Sequence, residues 1–141
     1  HNRGAGFVLK KNHPNELLGG KRPLHTIIPA ILKEKDGSIM PFGVMGGQYQ
    51  ACGHARILSN IKDYGMGFQE ALNFPRSFYF DGVLSVERGY QKATKEKLSK
   101  IGYKVEEADI PIGGAQLVRI DSSGVLIGAS DPRKDGCALG Y

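Results

Sequence analysis

Two consecutive glycines, Gly46 and Gly47, are the residues of this chain best suited to take part in chemistry. They lie where an apolar run ends and a helical pattern begins. Two residues without side chains can turn successive backbone N–H groups toward one point, and the start of a helix adds positive potential there. Such a geometry stabilises an oxyanion. The same pair would also serve as a tight strand-to-helix turn with no chemical role, because glycine tolerates such turns.

Few other residues suggest chemistry. His25 and Thr26 could bind a carboxylate or orient a substrate, although they are also compatible with an ordinary loop residue and an ordinary strand residue. Cys52 and His54 invite a nucleophile–base interpretation, but residues two apart on a helix do not face each other. The chain has no G-x-S-x-G elbow and no G-x-G-x-x-G loop. No pair of carboxylates stands out.

A β-hairpin is predicted directly before the glycine pair. Two apolar runs, at residues 26–32 and 39–45, are separated by Asp36-Gly37. This dipeptide is typical of hairpin turns because the turn needs positive φ. Pro29 argues against a central position for the first run, since proline cannot donate a hydrogen bond to a strand ladder.

Helices and further strands follow the glycine pair. Apolar residues at intervals of three and four predict a helix from Ala51 to Ile61. A short helix at residues 68–73 should end before Pro75, and a third at residues 90–101 should be closed by Gly102. Extended segments are predicted at residues 77–80, 83–86, 116–120 and 125–127, and loops or turns at residues 1–22 and 128–141. This order predicts an α+β fold with an antiparallel sheet and helices on its outer faces.

Composition excludes several classes of protein. The 141 residues suit a single domain, or a large piece of one, of ordinary globular composition, with 40% hydrophobic and 23% charged residues. The net charge is +5, but the basic residues alternate with acidic ones, and the densest basic stretch, residues 92–104, is predicted to be the solvated face of a helix. We therefore expect no nucleic-acid partner. No apolar run approaches the ~18 residues that cross a membrane, so no membrane-spanning helix is expected.

The two cysteines, Cys52 and Cys137, lack the spacing of a metal site and are predicted to be free thiols, packed or partly exposed. Nothing in the sequence requires a metal or an organic cofactor. The chain shows no signal peptide and no initiator Met, which is typical of an internal start, so the first residues do not indicate a compartment.

Four groups of segments together resemble the γ-glutamyltransferases. They are residues 14–26, residues 42–48, residues 61–65 with 70–76, and residues 113–116 with 128–133 and 140–141. Each motif alone would be a weak signal, but four motifs in the same order and spacing are highly specific. The resemblance covers nearly the whole chain.

The resemblance implies the fold of N-terminal-nucleophile hydrolases, a four-layer αββα sandwich with two antiparallel sheets between layers of helices. In this family the proenzyme cuts itself, and the new N-terminal Thr of the small subunit acts as nucleophile and as its own base. That Thr precedes the segment that residues 1–141 resemble. The chain is therefore expected to be the C-terminal portion of the small subunit, inactive without the Thr segment and the large subunit. The expected assembly is a large–small heterodimer, which could pair again.

The resemblance also assigns roles to particular positions. Gly46 and Gly47 match the glycine pair whose N–H groups bind the oxyanion. His25 and Thr26 fall where typical members have two serines that bind the α-carboxylate of the glutamyl donor. Thr26 keeps the hydroxyl, whereas His25 departs from the pattern.

A second departure lies near the start of the chain. Arg3 and Gly6 occupy the positions of a Gln and an Asp that hold the α-amino group of the donor. An ammonium left without its carboxylate partner in a buried site costs on the order of 2–5 kcal/mol. Arg3 and His25 would instead favour a negative group, so the donor's carboxylate should matter more than its amino group.

Three interpretations of function follow. The first is an enzyme that hydrolyses or transfers the γ-glutamyl group of glutathione-type amides, with hydrolysis favoured. The second is a dicarboxylic-acyl amidohydrolase of the same family, acting on glutaryl or cephalosporin-type amides. The third is a catalytically dead homologue with a structural role.

Overall fold

A computed structural model describes residues 2–140. Within this range the strands are β1 (Pro29–Lys33), β2 (Ile39–Met45), β3 (Ser77–Phe80), β4 (Val83–Val86), β5 (Lys104–Glu107), β6 (Gly114–Ile120) and β7 (Leu126–Ser130). The helices are α1 (Gln50–Lys62), α2 (Phe68–Asn73) and α3 (Lys92–Lys100), with single 3-10 turns at Asn2–Gly6 and Gly47–Tyr49. The mixture of helices and strands confirms the predicted α+β class.

The larger sheet is antiparallel, with the strand order β1-β2-β6-β7. Gly37 has a φ of 87° in the loop between β1 and β2, which confirms the predicted hairpin. β1 is an edge strand and begins at Pro29, where the missing N–H is tolerated. Residues 26–28 were predicted as the start of this strand, but they lie outside the sheet.

The core lies between this sheet and the first two helices. Met40, Phe42 and Val44 alternate along β2 and are buried with Leu117 of β6 and Ile57 of α1. Alternation follows from the two-residue period of a strand, which sends one set of side chains to each face. Each fully buried side chain of this size contributes roughly 1.5–3 kcal/mol relative to an exposed one.

The opposite face of the larger sheet is exposed and apolar. Ile31, Met45 and Leu126 have 65%, 56% and 68% of their surface exposed. Within residues 2–140, helices therefore cover only one face of this sheet. The four-layer sandwich stays a prediction, because its second sheet would have to lie on the exposed face.

The smaller sheet has the order β3-β4-β5 and corrects the expectation of purely antiparallel pairing. β3 and β4 form an antiparallel hairpin, but β4 and β5 are parallel. α3 lies between them in the chain, and such a crossover joins parallel neighbours. β5 was not predicted, because three of its four residues are charged and it has no apolar run.

The three helices agree closely with their predicted positions. α1 begins at Gln50, one residue earlier than predicted, and α2 has the predicted bounds. α3 ends at Lys100, and Gly102 follows with a φ of 105°. Most lysines of α3 are exposed as predicted, and Lys95 forms an ion pair with Glu107.

The two ends of the chain differ slightly from expectation. Residues 2–22 are mainly loop as predicted, apart from the 3-10 turn and one isolated bridge between Val8 and Glu16. β7 continues to Ser130, three residues beyond the predicted strand, because Gly128 pairs with Val118 and Ala129 is buried. No helix in the described part of the chain is both long enough and apolar enough to cross a membrane.

Candidate active site

The glycine pair forms a turn between β2 and the first helix. Gly46 and Gly47 have φ angles of 134° and 57°, a region that side chains rarely allow. The Tyr49 N–H donates to the Gly46 carbonyl at 3.1 Å. No turn, loop or cap hydrogen bond among residues 2–140 is donated by the N–H of either glycine. The two glycine N–H groups at the start of this helical segment thus have no acceptor in these turn, loop and cap bonds, and free N–H donors are what an oxyanion site needs.

Tyr49 explains why glycine is needed around this turn. Its side chain is 3% exposed, and burial raises the pKa of its hydroxyl. A Cβ at Gly53 would lie 2.7 Å from the ring, and one at Gly113 would also lie 2.7 Å from it. A Cβ at Gly46 would meet the same residue at 3.3 Å. Three glycines therefore create the space that this tyrosine fills beneath the turn.

A second glycine pair, Gly113-Gly114, lies against the first. The register of β2 and β6 pairs Met45 with Gly114. A Cβ at Gly46 would approach the Gly113 Cα to 3.1 Å, and a Cβ at Gly113 would approach the Met45 carbonyl oxygen to 2.6 Å. Two motifs that are far apart in the sequence are thus in direct backbone contact.

An open cavity of about 470 Å³ lies beside the glycine turn. Its lining residues are Arg3, Thr26, Ile27, Ile28, Pro29, Gly43, Val44, Met45, Gly46, Gly47, Gln50, Gly114, Gln116 and Lys134. Four of the five predicted site residues, all except His25, line this cavity. His25 is exposed and lies outside the lining. Arg3 and Lys134 bring two positive charges, and no described carboxylate lines the cavity.

Arg3 and Thr26 are in direct contact although 23 positions separate them. The Arg3 Nε–H donates to the Thr26 hydroxyl oxygen at 2.6 Å. The hydroxyl keeps its own hydrogen for another acceptor, and the guanidinium keeps its remaining N–H groups. Together they form a donor-rich, positively charged edge of the cavity, which suits a carboxylate.

Several residues that line the cavity were not predicted from the sequence, among them Gln50, Gln116 and Lys134. Gln50 is 7% exposed, and its side-chain amide donates to the carbonyls of Thr26 and Gly47 at 2.7 and 3.2 Å. A polar residue on the first turn of α1, three positions after the glycine pair, was the available signal for this contact. Gln116 belongs to a recognised motif but had no predicted role, and Lys134 gave no local signal, because only the register of β6 and the path of the tail bring them to the cavity.

A buried carboxylate fixes the strand next to the second glycine pair. Asp131 has no exposed surface, and its carboxylate accepts hydrogen bonds from the Arg76 guanidinium and from the N–H of Ala115. Burial by itself would raise the pKa of Asp131, but the Arg133 N–H and the charge of Arg76 outweigh it and hold that pKa below its usual value. Asp131 therefore stays ionised and anchors the start of β6.

A second carboxylate, that of Glu87, fixes Ile112, the residue before the Gly113-Gly114 pair. Glu87 accepts hydrogen bonds from the Arg133 side chain and from the N–H groups of Arg76 and Ile112. Burial by itself would raise the pKa of Glu87, but the hydrogen bond from Arg133 and the two N–H groups outweigh it, so the pKa is lowered. The arginines of the two recognised motifs thus hold Gly113 in place indirectly.

The remaining sequence candidates are not assembled into a site. His54 Nδ1 lies 2.7 Å from the Gln50 carbonyl oxygen and its ring packs on Phe42, while Cys52 is exposed to solvent. Cys137 is also exposed, and both thiols are free as predicted. Among residues 2–140, no three His, Cys, Asp or Glu side chains cluster as metal ligands.

Comparison with known proteins identifies the family. Residues 1–141 match the gamma-glutamyltranspeptidase family. The chain is 35% identical to the glutathione hydrolase-like YwrD proenzyme of Bacillus subtilis and 34% identical to the oxamate amidohydrolase proenzyme of Klebsiella pneumoniae. Both matches cover 99% of this chain and 28% of the relative. The crystal structure of a cephalosporin acylase from Bacillus halodurans is 36% identical over 99% of this chain and 27% of that one, with a TM-score of 0.82.

The chain thus spans a little more than a quarter of the length of these relatives. Its mixed α+β architecture superposes on the cephalosporin acylase over almost all of its residues. The four recognised motifs, the shared fold and the match over the whole sequence agree. This chain belongs to the gamma-glutamyltranspeptidase family.

Proposed function

We propose that the chain is the C-terminal portion of the small subunit of an amidohydrolase or acyltransferase. A Thr from the preceding segment would attack the amide carbonyl of an acyl donor, and the amine of that Thr would accept the hydroxyl proton. The oxyanion of the tetrahedral intermediate would lie against the Gly46 and Gly47 N–H groups. Collapse expels the protonated amine and leaves an acyl-enzyme, which water or an acceptor amine then cleaves. The unused N–H groups of the glycine turn support this assignment.

The remainder of the proenzyme would cover the exposed apolar face of the larger sheet. Ile31, Met45 and Leu126 lie on that face and would lose their exposed surface against a second sheet. The relatives have nearly three quarters of their length outside the matched region, which is ample for a second sheet and a large subunit. The proposed assembly is a heterodimer of large and small subunits.

The contact between Arg3 and Thr26 carries the proposal about the acyl donor. A glutathione-type γ-glutamyl amide presents a carboxylate and an ammonium at the same carbon. The carboxylate suits Arg3 and Thr26, but the ammonium would meet the Arg3 charge, and Gly6 offers it no side chain. An ammonium without a buried carboxylate partner costs on the order of 2–5 kcal/mol.

This observation favours the second candidate, a dicarboxylic-acyl amidohydrolase that accepts glutaryl-type amides. Two relatives are named for substrates other than glutathione, an oxamate amidohydrolase and a cephalosporin acylase. Oxamate itself has a carboxylate and no ammonium. We therefore infer that the enzyme recognises the negative group of its donor and does not require an α-amino group.

The decisive comparison uses the complete gene product with its large subunit and upstream Thr. We would measure kcat/KM for γ-glutamyl 4-nitroanilide and for glutaryl 4-nitroanilide, which differs only by the missing amino group. Equal values, or a higher value for the glutaryl compound, would support the acylase assignment. A preference of about a hundredfold for the γ-glutamyl compound, near 2.7 kcal/mol, would contradict it. Cleavage of neither would leave the dead homologue as the better interpretation.

An Arg3→Met variant tests the carboxylate contact directly. A hydrogen bond to a charged group contributes about 1.5–3 kcal/mol, so kcat/KM for the glutaryl anilide should fall roughly 10- to 150-fold. The value for pentanoyl 4-nitroanilide, which lacks the terminal carboxylate, should hardly change. Arg22→Met is the matched control, because Arg22 is exposed and lies outside the cavity. An equal decrease in kcat/KM for both substrates would show that Arg3 does not bind the carboxylate.

A further inference from the structure

One buried side chain connects the two halves of the proposed site. The Gln50 amide nitrogen donates to the Thr26 carbonyl at 2.7 Å and to the Gly47 carbonyl at 3.2 Å. A primary amide has two N–H groups, so this pair of contacts uses its full donor capacity. The two carbonyls belong to the segment that holds the carboxylate contact and to the turn that offers the oxyanion donors.

Little else in the described chain fixes the Thr26 segment. Residues 21–28 belong to no helix or strand, so no ladder hydrogen bond holds the Thr26 backbone. The contacts that reach this residue by hydrogen bond are Arg3 at the hydroxyl and Gln50 at the carbonyl. Gln50 is 7% exposed, so water cannot easily replace its amide. Of these two partners, Gln50 is the one that also bonds to the glycine turn, so it links the Thr26 backbone to Gly47.

We propose that Gln50 is a positioning residue that sets the spacing between the carboxylate-binding edge and the oxyanion turn. The proposal rests on the function proposed above. The amide nitrogen of Gln50 is bonded to the carbonyls of Thr26 and Gly47, so Gln50 acts through the backbone of these two residues. Its removal should weaken recognition of the donor carboxylate through Thr26 and lower turnover through Gly47.

The test is a Gln50→Met variant of the complete gene product, which keeps the length of the side chain and removes both donors. The matched control is Gln48→Met, since Gln48 is an exposed glutamine of the same turn and lies outside the cavity. Self-cleavage on a gel and melting temperature are recorded first. Then kcat and KM are measured for glutaryl and pentanoyl 4-nitroanilide.

With Gln50→Met, kcat should fall for both substrates, whereas KM should rise for the glutaryl compound alone. The ratio of kcat/KM between glutaryl and pentanoyl substrates should drop about tenfold or more, equivalent to the roughly 1.5 kcal/mol of a strong hydrogen bond. Gln48→Met should keep the wild-type ratio. A general loss of folding would lower kcat/KM equally for both substrates and would leave their ratio unchanged.

An unchanged ratio in a matured Gln50→Met enzyme would overturn the proposal. If that variant does not mature, Gln50→Asn replaces it, because the shorter amide keeps the polarity of the site without reaching both carbonyls. Failure of both variants to mature, with a normal control, would identify Gln50 as purely structural and would also overturn it. A wild-type protein that cleaves neither anilide contradicts the proposed function instead, so the two failures are distinguishable.

Discussion

Replacing Asp131 with asparagine should strongly destabilise the protein, although the two side chains have nearly the same shape. The carboxylate has no exposed surface and faces hydrogen-bond donors, including the guanidinium of Arg76, which is itself 2% exposed. An asparagine has one acceptor oxygen, and its NH2 would face those donors. Removing one partner of a buried ion pair typically costs 3–5 kcal/mol, because the other charge is left uncompensated.

The effect would be measured as the melting temperature of the complete gene product. This chain covers 28% of its Bacillus subtilis relative, and for a gene product between three and four times as long as this chain an unfolding entropy near 2.1 cal/mol/K per residue gives about 1 °C per kcal/mol. Asp131→Asn should therefore lower the melting temperature by about 3–5 °C. Asp109→Asn, at an exposed aspartate, is the matched control and should change it by less than about 1 °C.

The pH dependence gives a second, independent readout. The folded-state pKa of Asp131 is lowered, so its ionised form stabilises the protein above the unfolded pKa of about 3.9. That contribution is lost as the pH falls through the lower folded pKa. The difference in melting temperature between wild type and Asp131→Asn should be constant above about pH 5 and should narrow below about pH 4. A melting temperature within 1 °C of wild type at neutral pH, with no narrowing on acidification, would refute the role of this ion pair.

Of two further substitutions, one should lower the melting temperature clearly and the other should hardly change it. Gly113→Ala should lower both the melting temperature and kcat, because the new Cβ would lie 2.6 Å from the Met45 carbonyl oxygen; Gly124→Ala, also at positive φ but with no atom within 4 Å, is the control for backbone strain alone. Equal effects in the two alanine variants would contradict the steric explanation. Lys62→Met removes an exposed ion pair with Glu34 and should cost less than about 1 kcal/mol, measured as a near-wild-type melting temperature, and a clear loss would mean that this pair is energetically significant.

The larger sheet and the helices could be predicted well because their signals are local. The Asp36-Gly37 turn, the alternation along residues 39–45 and the three- and four-residue spacing after Gly47 each depend on near neighbours. β5 could not be predicted, since it is short and charged and takes its extended form from pairing with β4. Likewise β7 extends further than predicted, because its pairing with β6 continues through Gly128, a residue that locally favours a turn.

The candidate site was predicted in part for the same reason. The glycine pair carries its own signal, since only residues without side chains adopt φ angles of 134° and 57° freely. His25 matches a functional position of the family but is exposed outside the cavity, and no local pattern indicates which of two adjacent side chains faces inward. The role of Arg76, an arginine of a recognised motif, was not predictable, because the sequence gives no sign that Arg76 and Asp131 would be buried together.

The sequence by itself determined the family, the three helices, most of the strands and the glycine turn, because these follow from residue types and short spacings. Only the tertiary structure decided which distant segments meet. It places Arg3 on the Thr26 hydroxyl, the second glycine pair against the first, and Gln50 between two backbone carbonyls. Such contacts depend on how the sheet, helices and loops pack as a whole, and packing energy is shared among residues that no short stretch of sequence contains.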